Sequence, residues 1–404
     1  MSLISGLFIV GITIILGLVS QYSFKKTKIP DALILIIFGA VLTFFGLTSS
    51  IDKENPILNF LITFSLIYVV FYGALPIKIR AIFSTMKYAF LSSLLNFIFI
   101  TAALGAIAYF VGFSWAFALS LGALFCVIDG TIVNSLLDIL KVSEKAEAQI
   151  QIEGAVVDTL VIVGVMTIIN FANMTTNQII SSLSSYLFLS FGVGLAAAII
   201  WAFTLKYVGD YSSAPIATMA ILVLLYAFAE YIKANGVITV FSFSIIMGNV
   251  ALWSRLMYKE QKGQTAMLDI STKSFFRDIS FLIRTFLFVY LGILVDFTQW
   301  VYLLIGLGFF LIAYTIRSFI YRIVSNEELT KKQLYLIEAM AAKGLTPIVL
   351  LAVVQADVRF ANIVIGGIFF SVLATSILIP LIENGKFTSP SELILRKIHK
   401  RYDK

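Results

Sequence analysis

Residues 115–140 read WAFALSLGALFCVIDGTIVNSLLDIL. The run carries no charge except Asp129 at its middle and Asp138 near its end. A helix needs roughly 20 apolar residues to cross the hydrocarbon of a bilayer. A helix lying on a water-soluble domain keeps one polar face, and this stretch has none. It predicts a transmembrane helix with Asp129 where hydration is poorest.

Twelve further apolar runs flank it, at 3–24, 31–48, 57–76, 87–112, 147–171, 178–204, 214–232, 236–254, 275–296, 298–322, 332–354 and 360–382. Together they fill nearly all of the 404 residues. Sixty per cent of the chain is hydrophobic, 13% is charged and mean hydropathy is +1.00. So few charges cannot clothe a soluble surface, so the lipid bilayer is the expected partner of most of the chain. The expectation is an all-α polytopic membrane protein of about thirteen spans over 1–383, followed by a short basic cytoplasmic tail over 384–404. The first run has no basic region before it and no small-residue cleavage site after it, so it reads as a retained helix. Cys126 is the single cysteine and reads as core packing.

The lysines and arginines set the orientation. With the N-terminus outside, all but six of the 29 fall in inner loops or in the tail. Lys53, Lys233 and Arg359 face outward, and Arg284, Arg317 and Lys343 lie within runs. The net charge of +7 therefore reads as a cytoplasmic-face surplus, with no nucleic-acid partner expected. The predicted location is the plasma membrane, with the C-terminus cytoplasmic. Residues 389–402 read as an amphipathic helix for an anionic membrane surface. His399, the single histidine, sits in this solvated tail. Asn173-Met174-Thr175 matches a glycosylation pattern by chance.

Charges inside spans cost about 2.5–3.5 kcal/mol each on the insertion scale, so those that persist are paired or serve transport. Asp129, Asp158 and Lys343 lie near the centres of spans five, six and twelve. Glu153 and Arg317 lie deeper toward the cytoplasm, at similar depths. Glu153 and Asp158 are five residues apart and so point about 140° away from each other on a helix. Separate partners follow: Asp158 with Asp129, and Glu153 with Arg317 as a structural ion pair. Arg284 reads as a further structural charge, and Glu338 and Asp278 as solvated or snorkelling acids. Two poorly hydrated carboxylates at one depth repel, which favours holding protons that titrate as a coupled pair. A hard cation suits carboxylate and carbonyl oxygens. Proton and cation then compete for one site, as exchange requires.

Ile128-Asp129-Gly130-Thr131 in span five and Lys343-Gly344-Leu345-Thr346-Pro347 in span twelve both interrupt their spans centrally. The spans are seven apart and hence oppositely oriented, as inverted repeats require. Gly130 and Gly344 mark the expected helix breaks, and Lys343 compensates half-helix charge. The sequence has no phosphate loop, catalytic triad or metal cluster, so neither an enzyme nor a cofactor is expected.

These residues resemble the NhaP-like branch of the monovalent cation/proton antiporter superfamily over nearly the whole chain. Lys28-Ile29-Pro30-Asp31 is similar to the start of that group's second span. Asp129 matches the aspartate of its Thr-Asp-Pro break, and Glu153 with Asp158 match the ends of its Glu-Ser-x-x-Asn-Asp stretch. Arg317 falls on its paired arginine, and Lys343-Gly344 replaces its Arg-Gly. The resemblance implies a homodimer with a six-helix core and two crossed broken helices. It also implies elevator-type, electroneutral exchange of protons for sodium, lithium or potassium. Val157, Gly154, Ile128 and Gly130 stand where the group has asparagine, serine, threonine and proline. Cation ligands beyond Asp129 and Asp158 then come from backbone carbonyls, Thr131, Thr159 or water. The alternatives are a channel-like potassium efflux protein of the same fold and a non-transporting membrane sensor or scaffold.

Overall fold

The computed structural model describes residues 3–27, 31–47, 56–75, 87–129, 133, 140, 142–172, 176–208, 213–249, 270–324, 329–354 and 357–394. Gly130, Thr131, residues 173–175 and His399 lie outside them. Among the described residues the regular structure is entirely helical. The helices are α1 (Leu3–Thr27), α2 (Asp31–Phe44), α3 (Pro56–Ala74), α4 (Lys87–Phe110), α5 (Trp115–Leu124), α6 (Glu144–Phe171) and α7 (Thr176–Val208). They continue with α8 (Ala214–Tyr231), α9 (Gly236–Gly248), α10 (Ile270–Ile293), α11 (Trp300–Val324), α12 (Lys331–Ala339), α13 (Leu345–Val354) and α14 (Val358–Glu383). Each of the thirteen apolar runs therefore holds a helix, and the twelfth holds two.

Seven of these helices are long and apolar enough to cross a membrane unaided. α5, α12 and α13 are shorter because their spans are interrupted. On α1, Leu7, Phe8, Ile15 and Leu18 are all more than half exposed. An apolar face of this size is stable against lipid and not against water.

Two sets of helices pack together. α4, α5, α6, α11, α12, α13 and α14 form one, tied by α11 on α14 and α4 on α5. In the other, α10 lies on α2 and α7 on α9. The sets meet broadly: α3 and α9 touch α6, α13 packs on α3 and α10 as well as on α6 and α14, and α14 touches α2. At the α2–α10 seam a Cβ on Gly39 would overlap the Val289 carbonyl, and one on Gly292 would overlap that of Ile36. Small residues let membrane helices approach this closely. Arg284 pairs with Asp31 across the same seam at 2.7 Å.

Two expectations about the cytoplasmic side are overturned. Glu338 is not solvated: it is 2% exposed and lies 3.1 Å from the Ser318 hydroxyl. The tail does not begin as a segment on the membrane surface. Ser389 and Ser391 are fully buried beside Ser318, with Ser391 Oγ 2.8 Å from Ser318 Oγ. Glu392 accepts from Lys331 at 2.9 Å and from Tyr335, and pairs with Arg322 at 3.2 Å. A buried acid and three buried hydroxyls satisfy one another more cheaply inside than any could alone.

Candidate ion site

Two chain breaks meet in the first helix set. α5 starts on Ser114, whose hydroxyl accepts from Phe117 N, and it stops at Leu124. Phe125 and Cys126 turn back on Gly122 O and Ala123 O, and Val127–Asp129 lie outside any helix. α12 starts on a capping box between Thr330 and Gln333 and stops at Ala339. Met340–Gly344 are unwound, and α13 begins at Leu345. Pro347 falls in the first turn of α13, where a missing N–H breaks no intrahelical bond.

Unwound backbone in a membrane protein has to be satisfied by protein, and here the partners are specific. Asp129 N donates to Ala342 O at 2.8 Å, joining one break to the other. Lys343 Nζ donates to Val127 O at 3.1 Å, placing a cation at the carbonyl end left by α5. Leu345 N donates to Asp129 Oδ2 at 3.1 Å, placing a carboxylate at the N-terminus of α13. Each charge thus opposes the helix dipole it faces. α14 serves the rest: Ser371 Oγ accepts from Lys343 N at 2.9 Å, and Thr375 Oγ1 donates to Ala339 O at 3.0 Å. A Cβ on Gly344 would collide with the Asp129 carboxyl, so the approach of the two breaks requires glycine there.

Asp158 projects from α6 toward this crossing. Its Oδ1 is shut off from solvent and has no hydrogen-bond partner. α6 packs on both α5 and α13. Thr159 Oγ1 donates to Ala155 O at 2.9 Å within its own helix. Val157 is fully buried and offers no polar atom, and Gly154 offers no side chain.

Glu153 lies apart from Asp158, fully buried in a second network. Arg317 Nη1 and Nη2 donate to its two oxygens at 2.7 and 3.3 Å. Asn96 Nδ2 adds a third bond at 3.2 Å. Arg317 also donates to Ile337 O at 3.1 Å, which ties the pair to α12. A bidentate pair with further donors is the arrangement that can offset desolvation of two charges.

The structure therefore brings together Asp129, Lys343, Gly344 and Asp158 in one cluster, and Glu153 with Arg317 in another. Asn96, Ser371 and Thr375 were not singled out from sequence. Ser371 and Thr375 did leave a signal: two hydroxyls one turn apart in an apolar run.

The model of the family described as sodium/hydrogen exchanger, transmembrane, matches residues 10–384. The chain belongs to that family. Among curated exchangers it is 35% identical over 121 residues to sodium/hydrogen exchanger 2 of Arabidopsis thaliana, which is 28% of this chain and 20% of that protein. It is 23% identical over 314 residues to sodium/hydrogen exchanger 7 of the same plant, covering 72% of this chain and 26% of that protein. The chain thus spans only about a quarter of the length of these relatives. Two structures of the sodium proton antiporter MjNhaP1 from Methanocaldococcus jannaschii share the fold, with TM-scores of 0.74 and 0.69 at 18% identity. The match covers 96% of this chain and 98% and 100% of theirs. The exchanger family and this fold describe a multi-pass membrane protein and not an enzyme.

Proposed function

We propose that this exchanger-family chain is a secondary antiporter that trades protons for a monovalent cation at Asp158. The observation that carries the reading is a contrast among acids inside the helix bundle. Asp31, Glu153, Glu338 and Asp129 each engage a named donor, whereas Asp158 keeps one carboxylate oxygen without any. An acid left in that state exists to take a ligand, and a proton and a hard cation both suit it. Asp129 contributes charge to the site and caps α13. Lys343 offsets the α5 end, so that ion binding at Asp158 does not leave the breaks uncompensated. Glu153 and Arg317 hold α6, α11 and α12 in register.

The transported ion is sodium, lithium or potassium, and the helix set carrying both breaks moves against α1–α3 and α7–α10 as an elevator. The protein works as a homodimer in the plasma membrane, with its N-terminus outside and its C-terminus cytoplasmic. The relatives' names and the fold support exchange, and the two-set packing supports the elevator. The test is dissipation of a pH gradient in proteoliposomes on addition of Na⁺, Li⁺, K⁺ or choline. Saturable, cation-specific proton movement is expected. Flux that rises linearly with concentration indicates a channel, and no flux with any ion indicates a scaffold.

A further inference from the structure

We infer that the docked tail, residues 387–392, is a positioning element of the ion site. It holds the last turn of α12, and through it the second break, in the geometry that binds the cation. This rests on the antiporter reading of Asp158. α14 ends at Glu383, and Gly385 takes a φ of +68°, in the left-handed region that favours glycine. Lys386 N bonds back to Leu381 O at 2.9 Å. This helix-ending motif reverses the chain and returns the tail to α11 and α12.

α12 has nine residues, too few for a helix to be stable alone, so its place is decided by what grips it. Toward the break, Ile337 O accepts from Arg317 at 3.1 Å, Ala339 O from Thr375 at 3.0 Å and Ala342 O from Asp129 N at 2.8 Å. Glu338 lies within this series, and its donor Ser318, at 3.1 Å, is the residue to which the tail is bonded. Ser318 Oγ is 2.8 Å from Ser391 Oγ and 3.2 Å from Ser389 Oγ, and the two tail hydroxyls are 2.8 Å apart. A hydroxyl has a single proton. With the Ser318 proton on Glu338, the tail supplies the donors to Ser318 Oγ, and Ser391 N is one of them at 3.3 Å. At the other end of α12, Glu392 accepts from Lys331 at 2.9 Å and from Tyr335, and it pairs with Arg322 of α11 at 3.2 Å. The Phe387 ring meets that of Tyr335 edge-on, with centroids 5.7 Å apart. The tail thus grips α12 near both ends. The last turn runs directly into the unwound segment, so a shift of α12 shifts the Ala342 carbonyl, Lys343 and Gly344.

The experiment compares the full-length wild type, Glu392→Lys, Lys331→Glu and the two combined in proteoliposomes. It reads initial proton flux against Na⁺, Li⁺ and K⁺ concentration at one pH. Limited proteolysis of the same samples shows whether the tail has left. Glu392→Lys sets a third cation beside Lys331 and Arg322 and should free the tail. The apparent KM should rise by about tenfold, the lower end of what a lost supporting contact costs an ion site, and more than the maximal rate falls. The combined variant restores opposite charges. It should bring the KM back to within about threefold of the wild type, a recovery in the range of measured pair couplings. An active wild type whose Glu392→Lys variant frees its tail and keeps its KM overturns this inference alone, because the tail then only stabilises the bundle. A combined variant as impaired as Glu392→Lys overturns it too. If Glu392→Lys elutes aggregated or keeps its tail docked, Ser391→Leu, too large for its buried place, is read against the same KM criterion. A wild type silent with all three ions overturns the antiporter reading as well.

Discussion

Three acids inside the helix bundle, near one another in sequence or space, play different parts because their surroundings differ. Glu153 is bound by three donors and Asp129 by a helix N-terminus, whereas Asp158 keeps one oxygen without a partner. The separation of Glu153 from Asp158 was legible in the sequence, since five residues on a helix turn two side chains apart. The pairing of Arg317 was legible from depth alone. The capping bond from Leu345 to Asp129 was not, because hydropathy says nothing about which backbone N–H faces a side chain. Truncating Glu153 to alanine strands the Arg317 charge and should cost about 3–5 kcal/mol. Thermal unfolding in detergent should fall sharply, while whatever folds keeps its apparent cation affinity. Gly344→Ala forces a methyl group into the Asp129 carboxyl and should cost about 1–3 kcal/mol through overpacking. The same variant should lose exchange out of proportion to its lost stability, because the strain falls on the crossing itself.

At the scale of elements, the breaks were readable and their furnishing was not. Glycine beside a charge at mid-span in two spans seven apart announced both interruptions. The unwinding in fact starts earlier than those glycines, at Phe125 and Met340. Which helix would serve the freed backbone groups depends on lateral packing. Helices that are apolar all round carry little record of their neighbours, and α14 with Ser371 and Thr375 emerges only from the assembled bundle. The tail gives the same lesson: its basic composition reads as solvated, yet its first residues lock onto α11 and α12. Ser318→Ala removes the hydroxyl shared by Glu338, Ser389 and Ser391. It should cost about 1–3 kcal/mol by leaving a buried acid short of a donor. Limited proteolysis should then cut the tail faster than in the wild type, with the helical bundle still intact.

Across the whole molecule, the exchanger fold places an acid lacking a donor on one of its oxygens at the crossing of two broken spans and surrounds it with compensated charges. Competition at such a site has a fixed sign. As pH rises, fewer protons contend for Asp158 and the apparent KM for the cation falls. The limit is about tenfold per pH unit while one proton competes, by mass action. Initial rates at a series of pH values should trace that slope and flatten at the alkaline end. The positions of the helical spans followed from hydropathy, which is a property of each segment separately. The site depended on segments meeting, and only its charged members could be seen beforehand. The most direct measurement is proton release from purified protein in weakly buffered detergent when a monovalent cation is added. The wild type should release protons saturably and Asp158→Asn should release none. Undiminished release from Asp158→Asn would contradict the assignment of Asp158 as the carboxylate where proton and cation compete.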